Sequence, residues 1–437
     1  MGFVNRNIKP LDTKINDNGN IEIAGCDLSE IAKEYKTPLY VIDKNTLVTM
    51  ANDFKKAFAP LENVKMVYAS KALMTSAIAK IFYDCGFGFD VVSLGEMYTL
   101  KNAGIDLSHA TFNGNNKSPE ELEFALKNNI ARISADNFYE LELLDREAKK
   151  QGKIQKIFLR INPRIECHTH EYIQTGQLDS KFGFDFSKVS ETVKLILENY
   201  KNLELTGLHS HVGSQIFETS IFNDEIEVLI KEIKKIKDEF NILLTEINIG
   251  GGLGVKYTDE DNPPSVYDAA EVIIKALDRN CKLYDVAKPT LIIEPGRSLI
   301  STAGVTLYTV GSIKNIEGIR KYISVDGGMA DNPRPSMYQA KYSAEIVNKK
   351  EATNLEKVTV AGKFCESGDI LIKDIMLNSP KSGDILCVYN TGSYCYSMSS
   401  NYNSCLKPAM VLLDNKEAKI IVKRQTLEQL IQNDVLL

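Results

Sequence analysis

No two of the eight cysteines in this 437-residue chain stand in a C-x-x-C pair. That removes zinc ribbons and a disulfide framework from consideration and leaves reduced, mostly buried thiols. No stretch approaches the roughly 20 apolar residues that a bilayer crossing requires. The opening "MGFVNRNIKPLD" lacks the apolar core of a secretory signal. Long basic runs are missing too, and the net charge of −6 arises from intermixed signs, so neither nucleic acid nor membrane is an expected partner. Repeats, low-complexity tracts and obvious flexible linkers are also absent. These exclusions leave small-molecule chemistry in the cytoplasm as the expectation.

What is present is enough apolar material, 43%, for more than one core, and a length of 437 residues favours two domains. From about residue 64 to 297, eight short β-rich runs alternate with helical patterns: "VKMVYAS", "GFGFDVVS", "ATFNG", "ARISAD", "KIFLRINP", "LTGLHSHVG", "EINIGGG" and "TLIIEPG". The stretch "EIEVLIKEIKKIKDEF" carries apolar residues at i, i+3, i+4 spacing with charges opposite. Eight strand-helix units predict an α/β fold, a (β/α)8 TIM-type barrel, with a doubly wound open sheet as the rival layout. After Arg297 the runs "GVTLYTVGSI", "KVTVAG", "DILCVYN", "AMVLLD" and "AKIIVKR" are short, β-branched and punctuated by turns, the texture of a mostly antiparallel β domain. "NIEIAG" and a short helix starting near Asp27 show no compact unit of their own. The expected division is therefore a barrel over residues 40–298 and a β domain built from 1–39 and 299–437.

Chemistry in barrels collects at the C-terminal ends of the strands. Here those ends carry Lys71, Ser93 with Glu96, Asn115, Asp136, Arg160 with Asn162, His209 and His211, Gly250 to Gly252, and Glu294 with Arg297. Any single charge at a strand end fits an ordinary surface position, whereas eight polar ends favour an active site. The run "INIGGGLGV" offers backbone N–H groups to a phosphate. A glycine-rich turn without a ligand has the same appearance, and the dinucleotide pattern G-x-G-x-x-G fails at Val255. Lysine amine, phosphate cradle, imidazole pair and Glu294 together suit pyridoxal phosphate: an amine to hold the aldehyde, and a carboxylate to keep the pyridine nitrogen protonated. His209 and His211, two residues apart, are expected on the same side of one strand. A pair of satisfied core histidines is the plainer alternative.

The stretches "YASKAL", "DVVSLGE", "GNNKS", "RINP", "HEYIQTGQLDSKFGF", "HSHVGSQI", "NIGGGLG", "EPGRS", "VDGGMADNPRPSMY", "CESGD" and "SMSSNYN", taken together, resemble diaminopimelate decarboxylase. This family of pyridoxal-phosphate enzymes has an alanine-racemase-type barrel and a C-terminal β domain, and the resemblance covers nearly the whole chain. It implies decarboxylation of meso-2,6-diaminopimelate to L-lysine, with Lys71 holding pyridoxal 5'-phosphate covalently, His211 stacked on its ring and Glu294 paired with the ring nitrogen. Ser214, Gly250, Gly251, Gly252, Pro295, Gly296 and Arg297 would surround the phosphate. Cys365 is implied as the proton donor. Arg297, Arg334 and Tyr338 would bind the distal carboxylate, Glu366 the distal ammonium, and Tyr394 both cofactor and substrate. No metal is implied.

Cys365 and Tyr394 reach a neighbouring subunit's site in this family, which implies a homodimer with shared sites. Three positions depart from the family pattern: Leu73 for a usual asparagine, Ser393 for a usual alanine, and "NSCLKPA" without its common arginine. Three other functions stay open at this stage. One is a decarboxylase for another basic amino acid or a carboxylated polyamine, against which the three distal-carboxylate residues argue. Another is a catalytically silent regulatory homologue, disfavoured by the presence of Lys71 and Cys365. The last is an NAD-binding protein, against which the broken glycine fingerprint argues.

Overall fold

The computed structural model describes residues 4–163, 180–349 and 354–437. The chain divides into two compact units, Ala51–Gly254 with Pro264–Gly296, and Met1–Met50 with Val255–Pro263 and Arg297–Leu437. Residues 170–179 of the stretch "HEYIQTGQLDSKFGF" lie outside the described residues.

Each of the eight apolar runs forms one strand of the first unit: β1 (Val64–Ala69), β2 (Gly88–Val91), β3 (Ala110–Phe112), β4 (Arg132–Ala135), β5 (Gln155–Asn162), β6 (Leu203–His209), β7 (Glu246–Asn248) and β8 (Thr290–Ile293). All neighbours are parallel, and β8 pairs with β1, which closes the barrel and excludes the open sheet. Strands covered on both faces read as nearly unbroken apolar runs, and Val67, Phe158 and Ile292 from three of them meet in one buried cluster. At Gly207 the partner strand comes so near that an added Cβ would lie 2.1 Å from the Glu246 carbonyl oxygen, which is why glycine stands there.

Helices follow the strands, among them Ser76–Asp84, Leu94–Asn102, Pro119–Lys127, Ser220–Phe240 and Val266–Leu283. The starts of four of these are set by side-chain caps at Thr75, Ser93, Ser118 and Ser265, with a full capping box of Ser118 and Glu121 around Pro119. Ser93, grouped in the sequence with the strand-end polar residues, thus uses its hydroxyl on the Glu96 amide. Helix Ser220–Phe240 departs from strict amphipathicity, because Glu225 and Glu232 are buried on its apolar face with Ile226, Leu229 and Ile233.

In the second unit the long strand Gly304–Ile316 pairs antiparallel with Arg320–Val325, with Ile385–Tyr389 and with Leu39–Asp43. Two pairs are parallel, Arg320–Val325 with Leu355–Ala361 and Leu39–Asp43 with Ala409–Asp414, so the sheet is mostly antiparallel. The N-terminal residues share its core: Ile21, Leu28 and Leu39 pack with Val305, Leu307, Tyr389 and Val411. Asp27 caps helix Leu28–Tyr35 by accepting from Ser29 N.

Candidate active site

Residues singled out by the sequence fall into a group in each unit, and each group is described by itself. In the barrel, Lys71 lies in the single 3-10 turn Ser70–Ala72 that follows β1. Lys71 is exposed in that turn and forms no ion pair among the described residues. Glu294 follows β8 and is 7% exposed. Its Oε1 accepts from Asn248 Nδ2 at 2.6 Å and from Asn113 Nδ2 at 3.1 Å, and the Asn113 amide also donates to Asp90 at 2.7 Å. Burial, with repulsion from Asp90 behind it, pushes the Glu294 carboxyl up to about 7, although both amides and Lys71 favour its ionised form. Burial likewise raises Asp90, against the pull of Lys71.

The two histidines serve different positions. Strand β6 ends at His209, which is 2% exposed, bonds Ser134 Oγ through Nδ1 at 2.8 Å and has Nε2 3.6 Å from Glu294 Oε2. Burial holds it well below the ordinary histidine range, so the contact with Glu294 is not an ion pair. His211 lies beyond the strand end, partly buried, with Nδ1 accepting a long 3.4 Å hydrogen bond from Gly251 N. Burial, reinforced by Lys71 and Arg160, lowers it to about 3, leaving a neutral ring at physiological pH.

The glycine run is explained in the first instance by crowding from the protein itself. A Cβ at Gly250 would sit 2.6 Å from His211 Nδ1, one at Gly251 2.2 Å from the Glu294 carbonyl oxygen, and one at Gly252 2.4 Å from the Gly213 carbonyl oxygen. The same loop thereby brings β6, β7 and β8 together beside His211. Pro295 O accepts from Ala69 N at 3.1 Å and Gly296 abuts Ala69, which ties the β8 end to the turn bearing Lys71. Ser214 is exposed in the loop after His211. Leu73 is buried, and its carbonyl accepts the Tyr68 hydroxyl at 2.8 Å.

Pyridoxal phosphate fits this donor set. A primary amine stands at the strand mouth and a near-neutral acid below it can share a proton with a basic ring nitrogen. A neutral imidazole offers a flat face, and His209 Nε2 and Asn113 Oδ1 are buried without a hydrogen-bond partner among the described residues. Sequence reading missed Asp90, Asn113, Ser134 and Asn248. Asp136 and Arg160 form a 3.7 Å pair, and the Arg160 charge acts on both histidines; Lys117 is buried against Glu140, and the Asn115 carbonyl accepts from Asn137 Nδ2.

In the second unit Arg297, Arg334, Tyr338 and Tyr394 come together around a residue the sequence did not mark, Tyr257. The Arg334 guanidinium carbon lies 5.7 Å, 6.0 Å and 5.4 Å from the ring centres of Tyr257, Tyr338 and Tyr394. Arg297 lies 4.8 Å from the Tyr394 ring, and its Nη1 donates to the Tyr257 hydroxyl at 2.7 Å. Arg334 is 8% exposed, forms no ion pair among the described residues, and keeps a buried Nε without a partner. Burial opposes its charge, but the surrounding phenols favour it and hold its pKa above the ordinary arginine value. Tyr394 adopts φ +65°, a left-handed conformation that costs a bulky residue energy and concentrates at functional positions. Tyr338 is 60% exposed. Cys365 and Glu366 are exposed in a turn tied by Asp369, which accepts from Phe364 N and Met329 N. Ser393, one of the departures, is buried with its hydroxyl 3.1 Å from Ser301 Oγ.

Residues 44–301 match the family described as pyridoxal-dependent decarboxylase, pyridoxal binding domain. The chain is 44% identical to a diaminopimelate decarboxylase of Bacillus subtilis over 96% of both chains. It is 45% identical to one from Synechocystis over 99% of this chain and 94% of the relative. The crystal structure of a diaminopimelate decarboxylase from M. jannaschii in complex with L-lysine superposes with a TM-score of 0.92 at 34% identity, covering 98% of both chains.

Proposed function

The chain belongs to the diaminopimelate decarboxylases, within the pyridoxal-dependent decarboxylases, and on that premise we propose how its residues convert meso-2,6-diaminopimelate to L-lysine and CO2, the last step of lysine biosynthesis. Bound pyridoxal phosphate supplies an electron sink for the pair released when the bond to the departing carboxylate breaks. Lys71 is the amine that would hold the cofactor covalently. Glu294, kept near neutrality by burial and oriented by Asn113 and Asn248, pairs with the ring nitrogen. His211 gives its flat face to the ring, while Ser214, Gly250 to Gly252 and the backbone from Pro295 to Arg297 hold the phosphate.

Loss of CO2 leaves an electron pair on the substrate carbon, and one proton must be delivered there. The Cys365 thiol donates it and regains a proton from solvent. In the proposed homodimer Cys365 serves the partner subunit's site, whereas Tyr394, expected there too, has its ring 4.8 Å from Arg297 of its own chain; the enzyme is placed in the cytoplasm. Among the described residues no helix is long and apolar enough to cross a membrane.

The observation that carries the substrate reading is Arg334, a buried cation with no acid beside it among the described residues. Leaving such a charge without a counter-ion costs several kcal/mol. A ligand carboxylate removes that cost, and Arg297 and Tyr338 supply its remaining partners. A substrate ending in an amine alone would not. Holoenzyme incubated separately with meso-diaminopimelate, ornithine, lysine and arginine should release CO2 preferentially from the first, with lysine as the amine product. Preferential release from ornithine would overturn the substrate while sparing the fold.

A further inference from the structure

Tyr257 sits in the short segment Val255–Pro263, which belongs to the β unit although the barrel sequence surrounds it. It is 7% exposed, and its backbone is held on both sides: Ser343 Oγ donates to the Tyr257 carbonyl at 2.9 Å and Asn390 Nδ2 to the Lys256 carbonyl at 2.9 Å. Tyr342 packs edge-on against its ring at 5.3 Å. The side chain therefore has one position, and that position touches both arginines. Its hydroxyl accepts from Arg297 Nη1 at 2.7 Å, and its ring centre is 5.9 Å from the Arg297 guanidinium carbon and 5.7 Å from that of Arg334.

We infer that Tyr257 is a positioning residue for carboxylate recognition: it holds Arg297 and Arg334 against one ring without neutralising them. The inference rests on the proposed role of these arginines in binding the distal carboxylate. Two guanidinium groups sharing a small space repel each other, and something must hold them. A carboxylate in that place would do so strongly, but it would cancel the charge and compete with the substrate. A phenol holds Arg297 through its oxygen and both cations through its ring face, and leaves their positive charge for an incoming anion. A chain of hydroxyls supports it, since Ser301 Oγ is 3.2 Å from the Tyr257 hydroxyl and Ser393 Oγ is 3.1 Å from Ser301 Oγ. The departure at Ser393 thus reaches Tyr257 in two steps and Arg297 in three.

Tyr257→Phe keeps the ring and removes the oxygen that Arg297 donates to. In the holoenzyme, KM for meso-diaminopimelate should rise about tenfold with kcat within about twofold, the pattern of lost uniform binding. Two probes separate positioning from damage. Calorimetric affinity for pimelate, which has two carboxylates and no amine, should fall by a similar factor, whereas inhibition by 1,5-diaminopentane, which has no carboxylate, should not change. Unchanged KM and pimelate affinity overturn the inference. So does equal weakening of both probes, which marks a general loss of structure. Pimelate binding needs no turnover, so wild-type protein that binds pimelate but leaves meso-diaminopimelate intact contradicts the proposed substrate and not the role of Tyr257.

Discussion

A wholly buried carboxyl group with one hydrogen bond adjusts through its proton. Glu225 is such a group, 0% exposed on the apolar face of helix Ser220–Phe240, with Ser210 Oγ donating to one oxygen and the other without a partner. Burial lifts it to about 8 from an ordinary 4.5. Below pH 4.5 folded and unfolded chains both hold the proton. Between 4.5 and 8 only the folded chain does, so stability falls as pH rises through that window and the loss is complete above it. The cost is roughly 1 kcal/mol or more for each pH unit crossed. Glu225→Gln removes the titration, so its melting temperature should match the wild type near pH 5 and exceed it by several degrees near pH 9, as followed by calorimetry. A wild-type advantage at pH 9 would contradict the assignment.

Legibility at this scale followed position. Lys71, Glu294 and His211 stand where apolar runs stop, and that is how they can be read. Asp90, Ser134 and Asn248 stand inside such runs, where a polar residue in "FDV", "RISA" or "EIN" was the available but unused signal. Tyr257 left no signal, because the arginine it bonds lies 40 residues away and only the fold brings them together.

The eight strands were readable as elements because a barrel strand is covered on both faces and has little room for anything but apolar side chains. Closure was predicted from the count of eight strand-helix units with an open sheet as the rival, and β8 meeting β1 from the far end of the unit decides between them. The strand Leu39–Asp43 is equally apolar, with all five residues buried, yet it pairs in the other unit with Gly304–Ile316 and Ala409–Asp414. Local composition cannot assign a strand to one of two sheets. The glycine run shows the same limit. It was read as a phosphate cradle, and its first physical necessity is that β7, β8 and the loop after β6 converge there. Gly251→Ala places a methyl group against the Glu294 carbonyl, so unfolding by denaturant should show a loss of about 1–3 kcal/mol even without cofactor. Unchanged stability would mean that the loop yields easily and that glycine is kept for the ligand alone.

At the scale of the whole molecule, the family resemblance was legible because its motifs come from both units, and the comparisons extend it over nearly the full chain. The division of labour was less so. Under the proposed function most residues that hold the cofactor lie in the barrel unit, and those for the unreactive end of the substrate lie in the β unit, in a cluster that pairs two arginines with tyrosines instead of acids. Everything downstream depends on one amine carrying the cofactor. Reduction of the pyridoxal phosphate-loaded protein with borohydride, then proteolysis and mass mapping, tests that directly. The account predicts a single pyridoxyl label on the peptide bearing Lys71, and a label on another lysine, or on none, would contradict it.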